Sequence, residues 1–290
     1  MRILILGGDG MLGHCLFQHL LPRHEVKVTL HREWPVYAGS GLFSPDCAFA
    51  GLDVRSTDRL MEVVADFHPE AVVNAVGVIK QREAAKERLP CIEINALLPH
   101  RLSVFCGALG ARLVHLSTDC VFAGTKGNYQ ETDGSDAEDL YGKTKFLGEV
   151  HEKHCLTLRT SIIGRELSRK QSLLEWFLGQ TGPVKGYRQV LYSGFTTLEM
   201  SRIIEKMLVH HGEASGLYQV SSEPINKFEL LRLFRDKLNH PIEIIPDDTI
   251  RSDRTLDSTR FRREFAYQPP SWAEMIGELA GGGALEGVCP

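Results

Sequence analysis

The stretch RILILGGDGMLGHCLFQHLL (residues 2–21) runs from five mostly apolar residues, through glycines, into a pattern with one apolar helical face. An apolar run without polar alternation reads as a strand covered on both faces, and residues 11–21 read as a helix. Gly7, Gly10 and Gly13 stand where the strand turns into the helix. A dinucleotide pyrophosphate needs a tight turn, close backbone approach and the free N–H groups of a helix N-terminus. Gly7, Gly10, Met11, Leu12 and Gly13 are therefore candidate cofactor contacts. Their GxxGxxG spacing differs from GxGxxG, so the strand–turn–helix context carries the weight.

The same rhythm continues down the chain. Strand-like runs at 26–30, 71–76, 112–117 and 155–161 alternate with helical patterns at 58–67, 92–110 and 141–153. Pro99 lies inside the second of these helices and predicts a kink. The expected fold is α/β, a Rossmann-type doubly wound parallel sheet with a smaller C-terminal α/β substrate lobe. Residues 1–164 read as the dinucleotide-binding domain, 165–280 as the substrate-binding lobe and 281–290 as a flexible tail. Segments 189–194 and 217–221 are candidates to return to the main sheet.

Bulk properties narrow the function classes. With 43% apolar residues, a 290-residue chain can bury a sizeable core. A net charge of -4 gives no electrostatic reason for a nucleic-acid partner. No uncharged run nears the roughly 20 residues needed to cross a bilayer, so no membrane insertion is expected. Seven cysteines without a CxxC pair fit a reducing cytosol better than a disulfide framework, and the twelve histidines show no metal-ligand spacing. A cytoplasmic, metal-free protein is expected. Its charged helices allow a homodimer.

Where an NAD site usually places an acidic residue for the ribose 2′-OH, the second strand ends in Leu30-His31-Arg32. His31 and Arg32 suit a 2′-phosphate, which favours NADPH and leaves NADH open. Asp53 and Val54 are placed to hold the adenine edge, and Asn74, Ala75, Val76 and Gly77 to line the nicotinamide side. Further on, Thr118 follows Ser117 at the end of the fifth strand, and Tyr141 and Lys145 stand one helical turn apart. Hydride delivery to a ketone leaves an alkoxide that needs a proton. Tyrosine can supply it if its pKa of about 10 is lowered. Lys145 is expected to lower it and to hold the nicotinamide ribose, while Thr118 orients the carbonyl. Asn95 either orders a water beside Lys145 or is a buried structural amide.

Together these stretches resemble the extended short-chain dehydrogenase/reductases, in the branch of dTDP-4-dehydrorhamnose reductase. GGDGMLG is similar to that family's glycine loop, STDCVFAG (117–124) to its STDYVFDG, and YQETD (129–133) with YGKTKFLGE (141–149) to its Y-x-E-x-D…YGxxKxxGE. LRTS (158–161) and LDSTRFRREFAYQPPSW (256–272) match in kind. The resemblance implies reduction of the 4-keto group of a nucleotide-linked deoxysugar, in polysaccharide biosynthesis, with Thr118, Tyr141 and Lys145 as the catalytic set. It departs at Ile162, where the family usually carries an aromatic residue, at SDAEDLY (135–141), which lacks the usual proline, and at Cys120, which replaces a tyrosine.

Lys80, Asp119, Cys120, Ser161, Trp176 and Arg254 are the candidate substrate contacts, with Gln81 beside Lys80 and Phe177 beside Trp176. Each has a plainer alternative as solvated loop, packing or surface charge. GDP-fucose synthase, a related epimerase–reductase, has a cysteine at the position of Cys120 as carbon-acid base, partnered by a histidine after the sixth strand. GRELSRKQSLLEWF (164–177) holds no histidine, and Lys170 is the substitute available there. An epimerase, a bifunctional epimerase/reductase, and a non-catalytic NADP-binding regulatory subunit such as that of methionine adenosyltransferase stay open beside the reductase.

Overall fold

The structure, a computed structural model, describes residues 1–79, 87–168 and 170–281. β1 (Arg2–Leu6) leads through the glycine turn into α1 (Met11–Leu20), then to β2 (Glu25–Thr29) and β3 (Ala48–Phe49). α2 (Thr57–Phe67) and β4 (Ala71–Asn74) follow. A helix then runs as α3 (Arg88–Cys91), a wider π-helical turn at Ile92–Leu97, and α4 (Leu98–Leu109). β5 (Arg112–Thr118), α5 (Leu140–Leu147) and β6 (Cys155–Thr160) complete the first part of the chain.

Both faces of every central strand are covered, as an all-parallel sheet requires. Ile3 and Ile5 of β1 pack with Leu16 and Phe17 of α1, while Leu4 and Leu6 pack with Leu60, Val64 and Phe67 of α2 and Leu102 of α4. Each side chain so buried contributes about 1.5–3 kcal/mol. β1 pairs in parallel with β2 on one side and β4 on the other. The chain therefore winds in opposite directions from β1, and the carboxyl ends of β1 and β4 open a crevice between them.

Just before Pro99, where a kink is expected, the helix widens into the π turn. Proline lacks an N–H and its ring crowds the carbonyl four residues back, here that of Asn95. Gly148 packs against that carbonyl, and a Cβ at Gly148 would overlap it. This contact also ends α5 earlier than the 141–153 pattern predicts. Past Gly148 the chain turns inward, Glu149 is buried and the Val150 N–H donates to Thr157 Oγ1 (3.3 Å).

The C-terminal part adds β7 (Ile162–Ile163), α6 (Leu173–Leu178), β8 (Val184–Tyr187), β9 (Val190–Tyr192) and β10 (Phe195–Thr196). Next come α7 (Thr197–His210), β11 (Gly216–Gln219), β12 (Ile225–Asn226), α8 (Lys227–Lys237), β13 (Ile244–Asp247), β14 (Ser252–Asp253), α9 (Thr259–Glu264) and α10 (Trp272–Ala280). β11 pairs in parallel with β6, giving a seven-stranded sheet in the order β11-β6-β5-β4-β1-β2-β3. The 217–221 segment thus returns to the main sheet, whereas 189–194 does not: β9 lies between β12 and β14 in a sheet of three. Phe234, Phe261 and Met275 join the same apolar cluster as α1 and α7, so the late helices pack on the central core. Among the described residues no helix is long and apolar enough to cross a membrane.

Candidate active site

A cavity of about 570 Å³ lies at the carboxyl ends of β1, β4, β5 and β6, with α8 and β9 closing one side. Its floor is the glycine turn. Gly7 has φ +84°, a conformation an L side chain rarely adopts. Gly13 sits so close to the Gly7 carbonyl that a Cβ would overlap it. Thr29 fixes the turn to β2, accepting from Gly7 N–H (3.1 Å) through Oγ1 and from Gly8 N–H (2.9 Å) through its carbonyl. Gly10 caps α1 without a side-chain bond, and Met11 and Leu12 line the cavity, so the first-turn amides are left for a ligand. That donor set, against a backbone only glycine permits, fits a dinucleotide pyrophosphate.

His31, Asp53 and Val54 line the cavity beyond the turn, and Arg32 does not. The Arg32 carbonyl accepts from Gly51 N–H (2.9 Å) and its N–H donates to Tyr37 Oη (3.1 Å), while its side chain is exposed. The cation on that wall is Arg55, which the sequence pattern did not single out although it stands two residues past Asp53. Arg55 Nη2 donates to Asp53 Oδ2 (2.6 Å), and these side-chain bonds hold the Asp53 carboxyl below its usual range. Asp9 also faces the cavity and accepts from Tyr37 Oη (2.9 Å).

At the opposite wall Ala75, Val76 and Gly77 line the cavity. Asn74 lies beneath them, accepting from Val76 N–H (3.2 Å) and bonded to His115 (3.1 Å). Asn95 is a structural amide. It is fully buried, accepts from Val78 N–H (2.9 Å), and donates to the Val78 carbonyl (3.0 Å) and Thr144 Oγ1 (3.3 Å). It thereby ties the turn after β4 to α5.

Thr118, Asp119, Cys120, Tyr141, Lys145 and Ser161 converge on the remaining end. Thr118 Oγ1 donates to Asp119 Oδ1 (3.1 Å) and accepts from Cys120 N–H (3.2 Å). Burial pushes the Asp119 carboxyl up, against the pull of Cys120, Arg254, Thr118 and Lys227. Burial is also the first influence on Tyr141 and raises its pKa well above the usual phenol value; a hydrogen bond with Thr118 offsets part of this. The depression expected from Lys145 is absent here. The ammonium is turned onto the Leu116 carbonyl (2.6 Å) and is itself pushed down to about 8 by burial, with Glu149 opposing.

The Lys145 shift has a measurable consequence. Below pH 8 folded and unfolded chains both carry the proton, so the full cost of burying the charge is present; it fades as pH rises to 10.5, the unfolded value. Lys145→Met is expected to stabilise the ligand-free protein by about 3 kcal/mol at neutral pH. Melts of both proteins from neutral pH to pH 10.5 should show this advantage vanish; a gap that stays constant would count against a buried ammonium.

Residues 1–174 match the family described as RmlD substrate binding domain. The chain belongs to this family. It is 24% identical to the dTDP-4-dehydrorhamnose reductase of Aggregatibacter actinomycetemcomitans, over 95% of this chain and 97% of that one. Its fold is similar to the crystal structure of dTDP-4-dehydrorhamnose reductase (rfbD) from Bacillus anthracis str. Ames in complex with NADP, with a TM-score of 0.78 and 22% identity over 96% of this chain and 98% of that one. It is also 28% identical to methionine adenosyltransferase 2 subunit beta of Bos taurus, over 51% of this chain and 41% of that one.

Several polar candidates in this RmlD-family chain lie elsewhere. Trp176 is 42% exposed and outside the cavity, because α6 turns Leu174 and Phe177 into the core. Arg254 is absent from the lining; it donates to the carbonyls of Phe122 (2.8 Å) and Ala123 (3.1 Å) and braces the chain after Cys120. Lys170 is not part of the lining either. Lys80 and Gln81 lie outside the described residues. Conversely, Tyr192 and Lys227 reach the reactive end from segments without a motif.

Proposed function

We propose that this chain is a cytoplasmic NADPH-dependent reductase of the 4-keto group of a nucleotide-linked deoxysugar. The observation that carries it is the convergence of Thr118, Tyr141 and Lys145 on the cavity that the glycine turn floors. The dTDP-4-dehydrorhamnose reductases among its relatives, one of them crystallised with NADP, support the same reading. Gly7, Gly10, Met11 and Leu12 would hold the pyrophosphate, His31, Asp53, Val54 and Arg55 the adenosine end, and Ala75, Val76 and Gly77 the nicotinamide side. Arg55 takes the role first expected of Arg32, a cation for the 2′-phosphate.

NADPH supplies the hydride when bound. Thr118 and Tyr141 hydroxyls bind the ketone oxygen, and Tyr141 Oη gives it a proton. Burial keeps the Tyr141 proton in place in the ligand-free site, so the lowering that proton transfer needs has to come from positive charge brought beside the phenol. Lys145, pushed down to about 8 by burial, keeps its proton at pH 7, and turned from the Leu116 carbonyl toward Tyr141 it would support the charge left on the phenolate.

The test is oxidation of NADPH and of NADH with a panel of 4-keto-6-deoxy nucleotide sugars, with product NMR in D2O. Faster turnover with NADPH is expected. Cys120 lines the cavity, so deuterium at C3 or C5 of the product would add epimerisation to reduction. NADPH binding without turnover on any ketone would replace this reading with the regulatory-subunit one.

The partner proposed besides substrate is a second copy of the chain. Leu89, Ile92, Leu97 and Val104 expose apolar surface along α3 to α4, as do Phe146 and Leu147 on α5. Light scattering should give a dimer that Val104→Glu with Leu147→Glu converts to a monomer; a wild-type monomer at tens of micromolar would refute it.

A further inference from the structure

Thr118 has more claims on its hydroxyl than one arrangement of protons can meet. A threonine oxygen offers one proton and two lone pairs. Three groups share it here: it accepts from Cys120 N–H (3.2 Å), and it bonds to Asp119 Oδ1 (3.1 Å) and to the Tyr141 hydroxyl. Cys120 N–H occupies one lone pair whatever else changes. Asp119 decides the rest, because an ionised carboxylate can only accept. Thr118 then gives its proton to Asp119 and takes the Tyr141 proton on its second lone pair. Every bond is made, and neither hydroxyl proton is left for a ketone oxygen.

Protonating Asp119 gives a second complete arrangement. The carboxyl O–H donates to Thr118 Oγ1 and fills its second lone pair. The Thr118 and Tyr141 protons are then both free for one acceptor in the cavity that these residues line. The surroundings bring the carboxyl toward this neutral form. Asp119 is buried, Cys120 lies beside it, and Tyr141 of α5, Tyr192 of β9, Lys227 of α8 and Arg254 just past β14 are within electrostatic reach. Burial outweighs the two cations and the hydrogen bonds, which favour the ionised form.

We propose that Asp119 is a positioning residue acting through Thr118: its neutral carboxyl donates to Thr118 Oγ1 and so turns the Thr118 and Tyr141 protons onto the ketone oxygen. This rests on the keto-sugar reading above. Ionised Asp119 is the resting form, in which the two hydroxyls bond to each other. A bound ketone is an acceptor that only the neutral form meets with both protons, so substrate binding draws one proton from solvent onto Asp119. Reduction therefore slows as pH rises past the Asp119 titration. The fall comes at higher pH in kcat, which reports the substrate complex, than in kcat/KM, which reports the free enzyme.

The test uses the full chain with NADPH and dTDP-4-keto-6-deoxyglucose. Wild-type kcat/KM should fall about tenfold per pH unit above the Asp119 titration. In Asp119→Asn the amide N–H replaces the carboxyl O–H as donor at every pH, so this fall should disappear, with Tm and NADP+ binding as the controls for folding. Residual turnover by Thr118→Val should not follow the titration, since no hydroxyl is left to turn. A fall that persists in either variant, or turnover abolished at every pH in a folded Asp119→Asn, would overturn the role. Carbon-13 NMR of aspartate-labelled protein bound to NADP+ reads the carboxyl without turnover. The signal missing from Asp119→Asn should titrate above the ordinary 3.8 and move further up when the keto sugar is added. Titration at or below 3.8 would also overturn the role. The two hypotheses fail distinguishably. Tyr141-dependent turnover with a pH profile indifferent to Asp119 sinks the positioning role alone, while the expected titration without turnover of any ketone sinks the reductase and the role with it.

Discussion

Tyr141→Phe is expected to lower kcat for NADPH-dependent ketone reduction by about 10³-fold, with the Kd of NADPH changed by less than about threefold. The asymmetry follows from where the hydroxyl stands. Tyr141 meets Thr118 at the reactive end of the cavity, while the glycine turn and Arg55 lie toward the other. Removing Oη takes away the proton donor but none of the groups proposed to bind the pyrophosphate or the 2′-phosphate. The ring stays, so packing against Thr118 and the turn after β5 is preserved. A phenylalanine variant with wild-type kcat would remove Tyr141 from the proton path. Equal loss of kcat and NADPH affinity would instead assign it to binding the cofactor.

What could be read from the chain followed local rules, and what could not depended on tertiary path. The strand–glycine–helix unit is visible because each residue of it obeys a near-neighbour constraint. Gly13 must clear the Gly7 carbonyl, and the alternate residues of β1 must both find apolar cover. The Tyr141–Lys145 spacing is equally local. Arg32 stays outside the cavity lining, with its backbone bonded to Tyr37 and Gly51, because a strand-end position does not by itself fix where a side chain points. Trp176 lies outside the cavity because its neighbour Phe177 takes the inward face of α6 and packs in the core. Tyr192 and Lys227 were beyond reach: their approach to Cys120 depends on β9 pairing with β12, which ends where α8 begins. No pattern within either segment encodes that pairing.

The family-like residues Glu149 and Arg159 illustrate how a motif can serve the site without entering it. Their side chains are 2% and 3% exposed and neither lines the cavity. Arg159 Nε and Nη2 donate to the two Glu149 oxygens, each at 2.7 Å, and Ser117 Oγ donates to Oε1 at 2.6 Å. The guanidinium also lies over the Phe122 ring (5.2 Å), which stacks on Tyr129 (4.0 Å between centres). The pair thus fastens the end of α5, two strands and the chain beyond Cys120 around Thr118. Removing one partner leaves a buried charge without its counterion, and among the described residues Arg159 Nη1 already lacks a hydrogen-bond partner. Glu149→Gln is therefore expected to destabilise the protein by about 3–5 kcal/mol, lowering Tm by on the order of 10 °C. The paired replacement Glu149→Leu with Arg159→Met should recover most of that loss, because replacing both charges by apolar groups also removes their desolvation cost. At about pH 6, where Lys145 stays protonated without the Glu149 charge, and at temperatures where the single variant is folded, its kcat should stay within about threefold of wild type, in contrast to Tyr141→Phe. If Glu149→Gln keeps its Tm and loses turnover, the carboxylate acts on the reaction rather than on the frame around it.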